Sequence, residues 1–286
     1  MSQRYSRQVV FYGIGEEGQV KLLRSRVAII GLGALGTIAA NNLCRAGVGF
    51  IRLIDKDRVE LINLHRQALY DEEDASNSTP KAAAAFNHLT RINSEITLEP
   101  VVAEVNAATI ETLINDVDLA LDCTDNSETR SVINEACDKL RKPWIYAGVL
   151  ASGGLTMNII PGETACFRCL FPDPPPAGSY PTCAAVGVLN SVTAVIASIE
   201  SAEALKILIG SPEIRKNLFQ IDVWNNGSSY IDIGKNPDCP VCGRHEYEIL
   251  KASSENPKLC VTLPSYIRQD AHLPLCKLRS CLSRKP

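Results

Sequence analysis

The 286-residue sequence has no excess of positive charge: 29 lysines and arginines stand against 32 acidic residues, a formal net charge of −3. That balance excludes nucleic acid as the main partner. Long uninterrupted apolar runs are absent too. The most apolar stretch, residues 184–210, is broken by Asn190, Ser191, Thr193, Ser198, Glu200, Glu203 and Lys206. It reads as a buried helix of a soluble protein rather than a membrane span. Met1-Ser2-Gln3-Arg4-Tyr5 has no apolar core, so no secretory leader is expected there and the expected location is cytoplasmic. No internal repeat is visible. Cysteine, by contrast, is abundant, with eleven copies. Without an export signal these point to metal ligation, thiol chemistry or burial rather than to a disulfide framework.

The stretch that organises the chain is Val27-Ala28-Ile29-Ile30-Gly31-Leu32-Gly33-Ala34-Leu35-Gly36. A short apolar run ends in a G-x-G-x-x-G spacing, and residues 37–43 continue with helical periodicity. The pattern predicts a buried parallel strand, a tight turn and a helix whose free N–H groups face an anion. Gly31 makes the turn, Gly33 admits a phosphate to the backbone, and Gly36 lets helix and strand pack closely. The next strand, residues 50–54, ends at Asp55, placed for a ribose hydroxyl. A nucleotide is implied; which nucleotide is not.

Up to about residue 150, strands alternate with helices, so a mostly parallel sheet covered on both faces is expected. Strands are expected at 96–101, 117–123 and 144–148, and helices at 106–114 and 128–140. Residues 71–78 read as an acidic surface loop, and Thr79-Pro80-Lys81 as a helix start with a hydroxyl cap and proline in first position. Beyond 150, strands at 155–160, 219–224 and 230–233 would extend the same sheet with antiparallel members. A long helix near 186–209 precedes the last two, and Asn225-Asn226-Gly227-Ser228 is a hairpin connection. The ligand should lie beyond the carboxyl ends of the strands, where Gly31, Asp55, Asp125 and Gly148 fall.

Two constellations carry chemistry. Cys166-Phe167-Arg168-Cys169 and Cys239-Pro240-Val241-Cys242 are each C-x-x-C, the usual spacing for thiolates around a structural zinc ion. Four thiolates leave no open coordination position, so the role is structural; buried or redox-active cysteines are the rival reading. The second set surrounds the glycine turn: Arg66, Lys81 and Arg7 as cations, Asp55, Asp57 and Asp125 as carboxylates. A dehydrogenase pocket seldom needs so many charges of both signs, whereas a triphosphate bound with magnesium does. No G-x-x-x-x-G-K-S/T loop is present, so the triphosphate must be held differently.

These motifs together make the chain resemble the MoeB/ThiF/HesA family, prokaryotic relatives of the ubiquitin-activating enzymes. The matching residues are Arg4-Tyr5-Ser6-Arg7-Gln8, the glycine turn, Asp55-Lys56-Asp57, Asn63-Leu64-His65-Arg66-Gln67, Lys81, Asp122-Cys123-Thr124-Asp125-Asn126 and both cysteine pairs, in family order over residues 1–249. The resemblance implies a Rossmann-like ATP-binding α/β fold over 1–249, with residues 250–286 an extension. It implies ATP-dependent adenylylation of the C-terminal glycine of a small ubiquitin-fold sulphur-carrier protein ending in Gly-Gly, with pyrophosphate released. The pathway would be thiamine, molybdopterin or related sulphur transfer.

By resemblance, Asp125 serves magnesium and phosphates, Asp57 holds the ribose, and Asn63, Arg66 and Lys81 contact the triphosphate. Arg7 reaches in from the second subunit of a homodimer. Cys183 lies on a crossover loop, where family cysteines attack the adenylate in some members and are dispensable in others; a helix N-terminus would lower its thiol pKa. The carrier would thread an extended tail toward ATP and dock its globular part near the late strands and the zinc-tied region. The chain stops short of a rhodanese-like domain, so a separate sulphurtransferase or cysteine desulphurase would supply sulphur. An NAD(P)- or flavin-dependent oxidoreductase, or a non-catalytic partner-docking homologue, are the alternatives.

Overall fold

The chain enters through a 3-10 turn at Gln3–Tyr5 and helices α1 (Ser6–Val9) and α2 (Gly15–Arg24) in a computed structural model that describes residues 3–172 and 183–254. There follow β1 (Arg26–Ile30), α3 (Ala34–Ala46), β2 (Phe50–Ile54), α4 (Glu72–Ser76), α5 (Lys81–Ile92) and β3 (Thr97–Val101). Next come α6 (Ile110–Ile114), β4 (Leu119–Asp122), α7 (Ser127–Lys139) and β5 (Trp144–Leu150). The last part contributes β6 (Gly153–Ile159), α8 (Phe167–Leu170), α9 (Cys183–Val186), α10 (Asn190–Ile209), β7 (Leu218–Asp222), β8 (Gly227–Ile231) and α11 (Glu248–Ser254).

All eight strands join one sheet in the order β3-β2-β1-β4-β5-β6-β7-β8. The first five in that order run parallel, and β6, β7 and β8 add antiparallel neighbours. The expected extension of a parallel sheet by antiparallel members is what forms. Strands β1 and β4 are buried along nearly their whole length, as parallel strands covered by helices on both faces must be. The sheet separates two apolar cores. One packs Ile29, Leu43, Leu53, Leu89 and Ile196, the other Ile30, Ile114, Trp144, Phe167 and Val241. Strands are added outward in one direction from β1 to β3 and in the other from β4 onward, and this switch opens a crevice at the carboxyl ends of β1 and β4.

The Arg4-to-Gln8 motif has a structural job. Tyr5 is buried, and its hydroxyl accepts from Asn93 Nδ2 at 3.0 Å. The ring covers Gly47, the left-handed residue (φ +80°) that ends α3; a Cβ there would lie 2.5 Å from Tyr5 Cζ. Gln8 Nε2 and Gln19 Nε2 both donate to Ala46 O. The lead-in is thus tied to the end of the glycine-turn helix.

Several local expectations need correction. Residues 71–78 are not simply loop: Asp71 accepts from Asp74 N and Asp74 answers on the Asp71 N–H, a reciprocal cap that starts α4. Thr79 does not cap α5. Pro80 takes the cap position with no side-chain bond, so the helix begins one residue beyond the place a Thr79 cap would set, at Lys81, while Thr79 O accepts from Val59 N and Pro80 bridges Arg58. Only Ile110–Ile114 is helical in 106–114, since Asn106 Oδ1 accepts from Ala108 N and Thr109 N and forms a turn instead. The long helix starts at Asn190, not 186, because Gly187 (φ +84°) breaks it and Val188 bridges Ala151. Gly227 and Ser228 belong to β8 rather than to the hairpin loop, which is residues 223–226 with Asn226 left-handed at φ +55°. Among the described residues no helix is long and apolar enough to cross a membrane.

Candidate active site

The three glycines behave as their spacing demands. Gly31 has φ +90°, and a Cβ there would meet Cys123 O at 2.8 Å. At Gly36 a Cβ would fall 1.9 Å from Gly31 O, so helix and strand close only over a glycine. Gly33 is different: its nearest non-neighbouring atom would be Gln67 Nε2 at 3.8 Å, which leaves its face open. Gly33 caps α3 with no side-chain hydrogen bond, so the first-turn N–H groups are free for an anion.

A cavity of about 1300 Å³ opens over this turn. Its walls include Gly31, Gly33, Asp55, Asp57, Asn63, Arg66, Lys81 and Asp125. Asp55, at the end of β2, accepts from Leu32 N at 2.7 Å through one oxygen and from Asp57 N at 2.8 Å through the other. It props the glycine turn, and its burial raises the carboxyl pKa against the pull of Lys81. Lys81 is buried at the start of α5, and its Nζ reaches the more exposed Asp57 at 3.2 Å. Asn63, in a 3-10 turn at Leu61–Asn63, is buried and accepts from Arg66 NH2 at 3.3 Å. Asp125 sits exposed in the loop between β4 and α7, whose start Asn126 caps by accepting from Thr129 N. His65 lies exposed beside them, its Nδ1 3.1 Å from Ile62 O.

Arg7 stays apart from this cluster. It is exposed on α1 and does not line the cavity of its own chain. Cys183 opens α9, but its side chain lies outside the described residues, as do residues 255–286 and the proline-rich 173–182. Cys44, Cys123 and Cys137 are buried as expected. Tyr70 stitches the site together, its hydroxyl donating to Leu32 O at 2.8 Å.

Two buried ionisable groups make contacts that the sequence reading assigns to neither of them. Asp122, fully buried at the end of β4, pairs with Arg130 Nε at 3.1 Å. The same guanidinium donates to Thr124 O at 2.6 Å and lies 5.1 Å from the Tyr146 ring centroid. Burial pushes the Asp122 carboxyl up while Arg130 pulls it down, the burial effect prevailing. A carboxylate closing an apolar strand is the available signal, since a buried charge demands a partner. Glu200 on α10 is the second. Its carboxyl faces the Cys123 thiol, and it leaves no sequence signal beyond a polar break in an apolar helix.

The cavity has a second lobe beyond the glycine turn. Gly148, Gly153 and Gly154 of β5 and β6, with Gln220, Asp222 and Ser228 of β7 and β8, line it. Trp224 and Tyr230 on the β7–β8 hairpin are strongly exposed nearby in sequence and strand.

In the core that packs Trp144 and Phe167 the four cysteines converge. Sγ–Sγ separations are 3.9 Å for Cys166–Cys169, 3.6 Å for Cys166–Cys239 and 3.4 Å for Cys169–Cys242. Thiolates at about 2.3 Å from a tetrahedral ion would be about 3.8 Å apart, so the cluster can chelate a metal. Tight turns present both pairs, with Cys169 N donating to Cys166 O and Gly243 N to Cys239 O. Asn134 Nδ2 approaches Cys166 Sγ at 3.7 Å, an outer-shell donor for that sulphur.

The family model described as "ThiF family" matches residues 5–241. The Sulfur carrier protein ThiS adenylyltransferase of Bacillus subtilis is 40% identical over 257 residues, 89% of this chain and 76% of that protein. The Sulfur carrier protein adenylyltransferase of Thermus thermophilus is 36% identical over 246 residues, 84% of this chain and 90% of that protein. Among solved structures, E. coli MccB with ATP superposes with a TM-score of 0.74 at 25% identity, covering 85% of this chain and 75% of that one.

Proposed function

The chain belongs to the ThiF family, and from that premise we propose that it adenylylates the C-terminal glycine of a small ubiquitin-fold sulphur-carrier protein at the expense of ATP. The observation that carries the reading is a single cavity in which the open face of Gly33, the carboxylates of Asp57 and Asp125 and the cations of Arg66 and Lys81 meet. That charge pattern suits a triphosphate better than a dinucleotide, and relatives named as sulphur-carrier adenylyltransferases share most of the chain.

ATP would lie with its phosphates over Gly33 and the N-terminus of α3, and its ribose toward Asp55 and Asp57. Asn63, Arg66 and Lys81 would hold the phosphate oxygens. Magnesium, when bound, would supply charge neutralisation at the triphosphate, with Asp125 as its carboxylate. The carrier's tail would run along the second lobe, past Gly153 and Gly154. Its terminal carboxylate oxygen attacks the α-phosphorus, the bond from that phosphorus to the bridging oxygen breaks, and pyrophosphate leaves. No proton moves. The chain's task is therefore to orient two anions and relieve their repulsion, and no general base is required.

Arg7 would complete the site from a second copy in a homodimer, which fits its exposure away from its own cavity. Cys183 would attack the carbonyl carbon of the acyl adenylate, forming a thioester as the bond to AMP breaks and AMP leaves, and a separate sulphurtransferase or desulphurase would supply the sulphur for the carrier. Zinc would occupy the four-cysteine cluster as a structural ion. Residues 1–249 would form the catalytic unit, working in the cytoplasm, in thiamine, molybdopterin or a related pathway.

The test is ATP–pyrophosphate exchange with a carrier protein ending in Gly-Gly. Exchange should require the carrier and vanish in Asp125→Ala with the circular dichroism spectrum unchanged. Undiminished exchange in that variant, or exchange with no carrier present, would defeat the proposal.

A further inference from the structure

Asp125 is exposed in the β4–α7 loop, and among the described residues nothing hydrogen-bonds its carboxylate. Where that carboxylate points is therefore set by the backbone on either side of it. After it, Asn126 caps α7 by accepting from Thr129 N at 2.9 Å. Before it, both polar groups of the Thr124 backbone are taken. Asp122 Oδ1 accepts from Thr124 N at 3.0 Å and from Thr124 Oγ1 at 2.6 Å. Arg130 Nη2 donates at 2.6 Å to Thr124 O, the carbonyl of the peptide bond that leads into Asp125, and at 3.2 Å to Ala147 O on β5. Arg130 Nε closes the ring on Asp122 Oδ2 at 3.1 Å. The glycine turn bears on the same peptide, since a Cβ on Gly31 would stand 3.2 Å from Thr124 N.

A ring of this kind is a poor way to stabilise a fold. The Asp122 side chain is wholly buried and that of Arg130 largely so. Taking two charges out of water costs about what their attraction returns, and an apolar pair of similar size often holds a fold as well or better. What an apolar pair cannot do is hold a peptide N–H and a peptide C=O at once. A guanidinium and a carboxylate together can, because the N–H groups of arginine leave in fixed directions. Here one edge of Arg130 meets Asp122 while the other meets two carbonyls, one on each of two neighbouring strand ends. A lysine would bring the charge without the fork.

We propose that Asp122 and Arg130 are positioning residues for Asp125, fixing the Thr124 peptide so that the Asp125 carboxylate is held toward the cavity. The inference rests on the reading above in which that carboxylate serves magnesium at the triphosphate. The pair acts through the Thr124 backbone, so it governs how well a nucleotide binds with its metal rather than how well the bare nucleotide binds.

The test is calorimetric titration of full-length protein with a nonhydrolysable ATP analogue, once with magnesium and once with EDTA in its place, beside melting curves. Two variants are compared with wild type. Arg130→Lys keeps a charge opposite Asp122 and loses the fork, and the double variant Asp122→Leu, Arg130→Met removes both charges while keeping the volume. Wild type should bind the analogue more tightly with magnesium than without. In both variants that gain should shrink about tenfold or more, the scale of losing an outer-shell partner, while affinity in EDTA stays within about twofold of wild type. A merely structural pair would move the melting temperature and leave the ratio of the two affinities alone. An undiminished magnesium gain in either folded variant overturns the proposal, even if both affinities fall together, since that is loss of the pocket as a whole. Should the double variant fail to fold, the lysine ratio alone decides. Wild type that gains nothing from magnesium overturns the reading of Asp125 itself, so the two failures are told apart.

Discussion

A Cβ at Gly36 would stand 1.9 Å from the carbonyl oxygen of Gly31, whereas one at Gly33 would meet, among the described residues and chain neighbours aside, nothing nearer than the Gln67 amide at 3.8 Å. Two glycines of one motif thus answer to different partners. Gly36→Ala should shift strand against helix and cost several kcal/mol, about 3 or more, as overpacking against backbone does. Gly33→Ala should fold and melt like the parent while nucleotide binding falls at least about tenfold, because the methyl group occupies the phosphate's place. Melting curves and nucleotide titration on the two variants separate these outcomes, and equal behaviour in both assays would remove the distinction.

Lys81 is buried while its partner Asp57 is half open to the cavity. Removing the lysine leaves a carboxylate that water can reach, so Lys81→Met should keep the fold. The loss should appear in chemistry: carrier-dependent exchange reduced about a hundredfold, the scale seen when one charge-stabilising donor is deleted from a transfer site. Exchange rates beside unfolding midpoints check it. A variant that unfolds while its residual folded fraction exchanges at the parent rate would assign Lys81 to structure instead.

How far the sequence can be read follows from which signals are local. The glycine turn, the strands β1 to β5 and both cysteine pairs are legible because each is specified by spacing within a few residues, and the structure places them together as that spacing implies. The reciprocal Asp71–Asp74 cap is specified just as locally but lies in an acidic run that reads as solvated loop. Arg130 and Glu200 are not legible. Their importance comes from being brought under Asp122 and Cys123 from eight and seventy-seven residues away, and only the folded sheet creates that contact.

The four-cysteine cluster predicts one zinc ion per chain. Four thiolates leave no coordination position for water, so the ion should resist mild chelation and contribute stability rather than catalysis. Cys239→Ser should lose the metal in elemental analysis and lower the melting temperature by about 10 °C, on the scale expected when a buried site of a few kcal/mol is broken in a chain of this size. Iron, or less than half an equivalent of zinc in protein purified without chelator, would contradict it.

Glu200 gives the pH dependence a sign. It is wholly buried on α10, faces the Cys123 thiol at 3.7 and 3.9 Å from its two oxygens, and feels the charge of Asp122. Burial, with Asp122 adding to it, holds its pKa well above the ordinary carboxyl value of 4.5. The folded chain therefore keeps a proton that the unfolded chain releases above about pH 4.5, and stability must fall as pH rises from there toward the folded pKa. Glu200→Gln retains the shape and cannot ionise. It should stabilise the protein relative to wild type at pH 8, where the wild-type carboxyl is driven toward ionisation, and little or not at all at pH 4.5. Urea unfolding of both proteins at the two pH values reads the difference directly. A variant that is less stable at pH 8, or one whose gain is the same at both pH values, would show that Glu200 is ionised and paired in the fold.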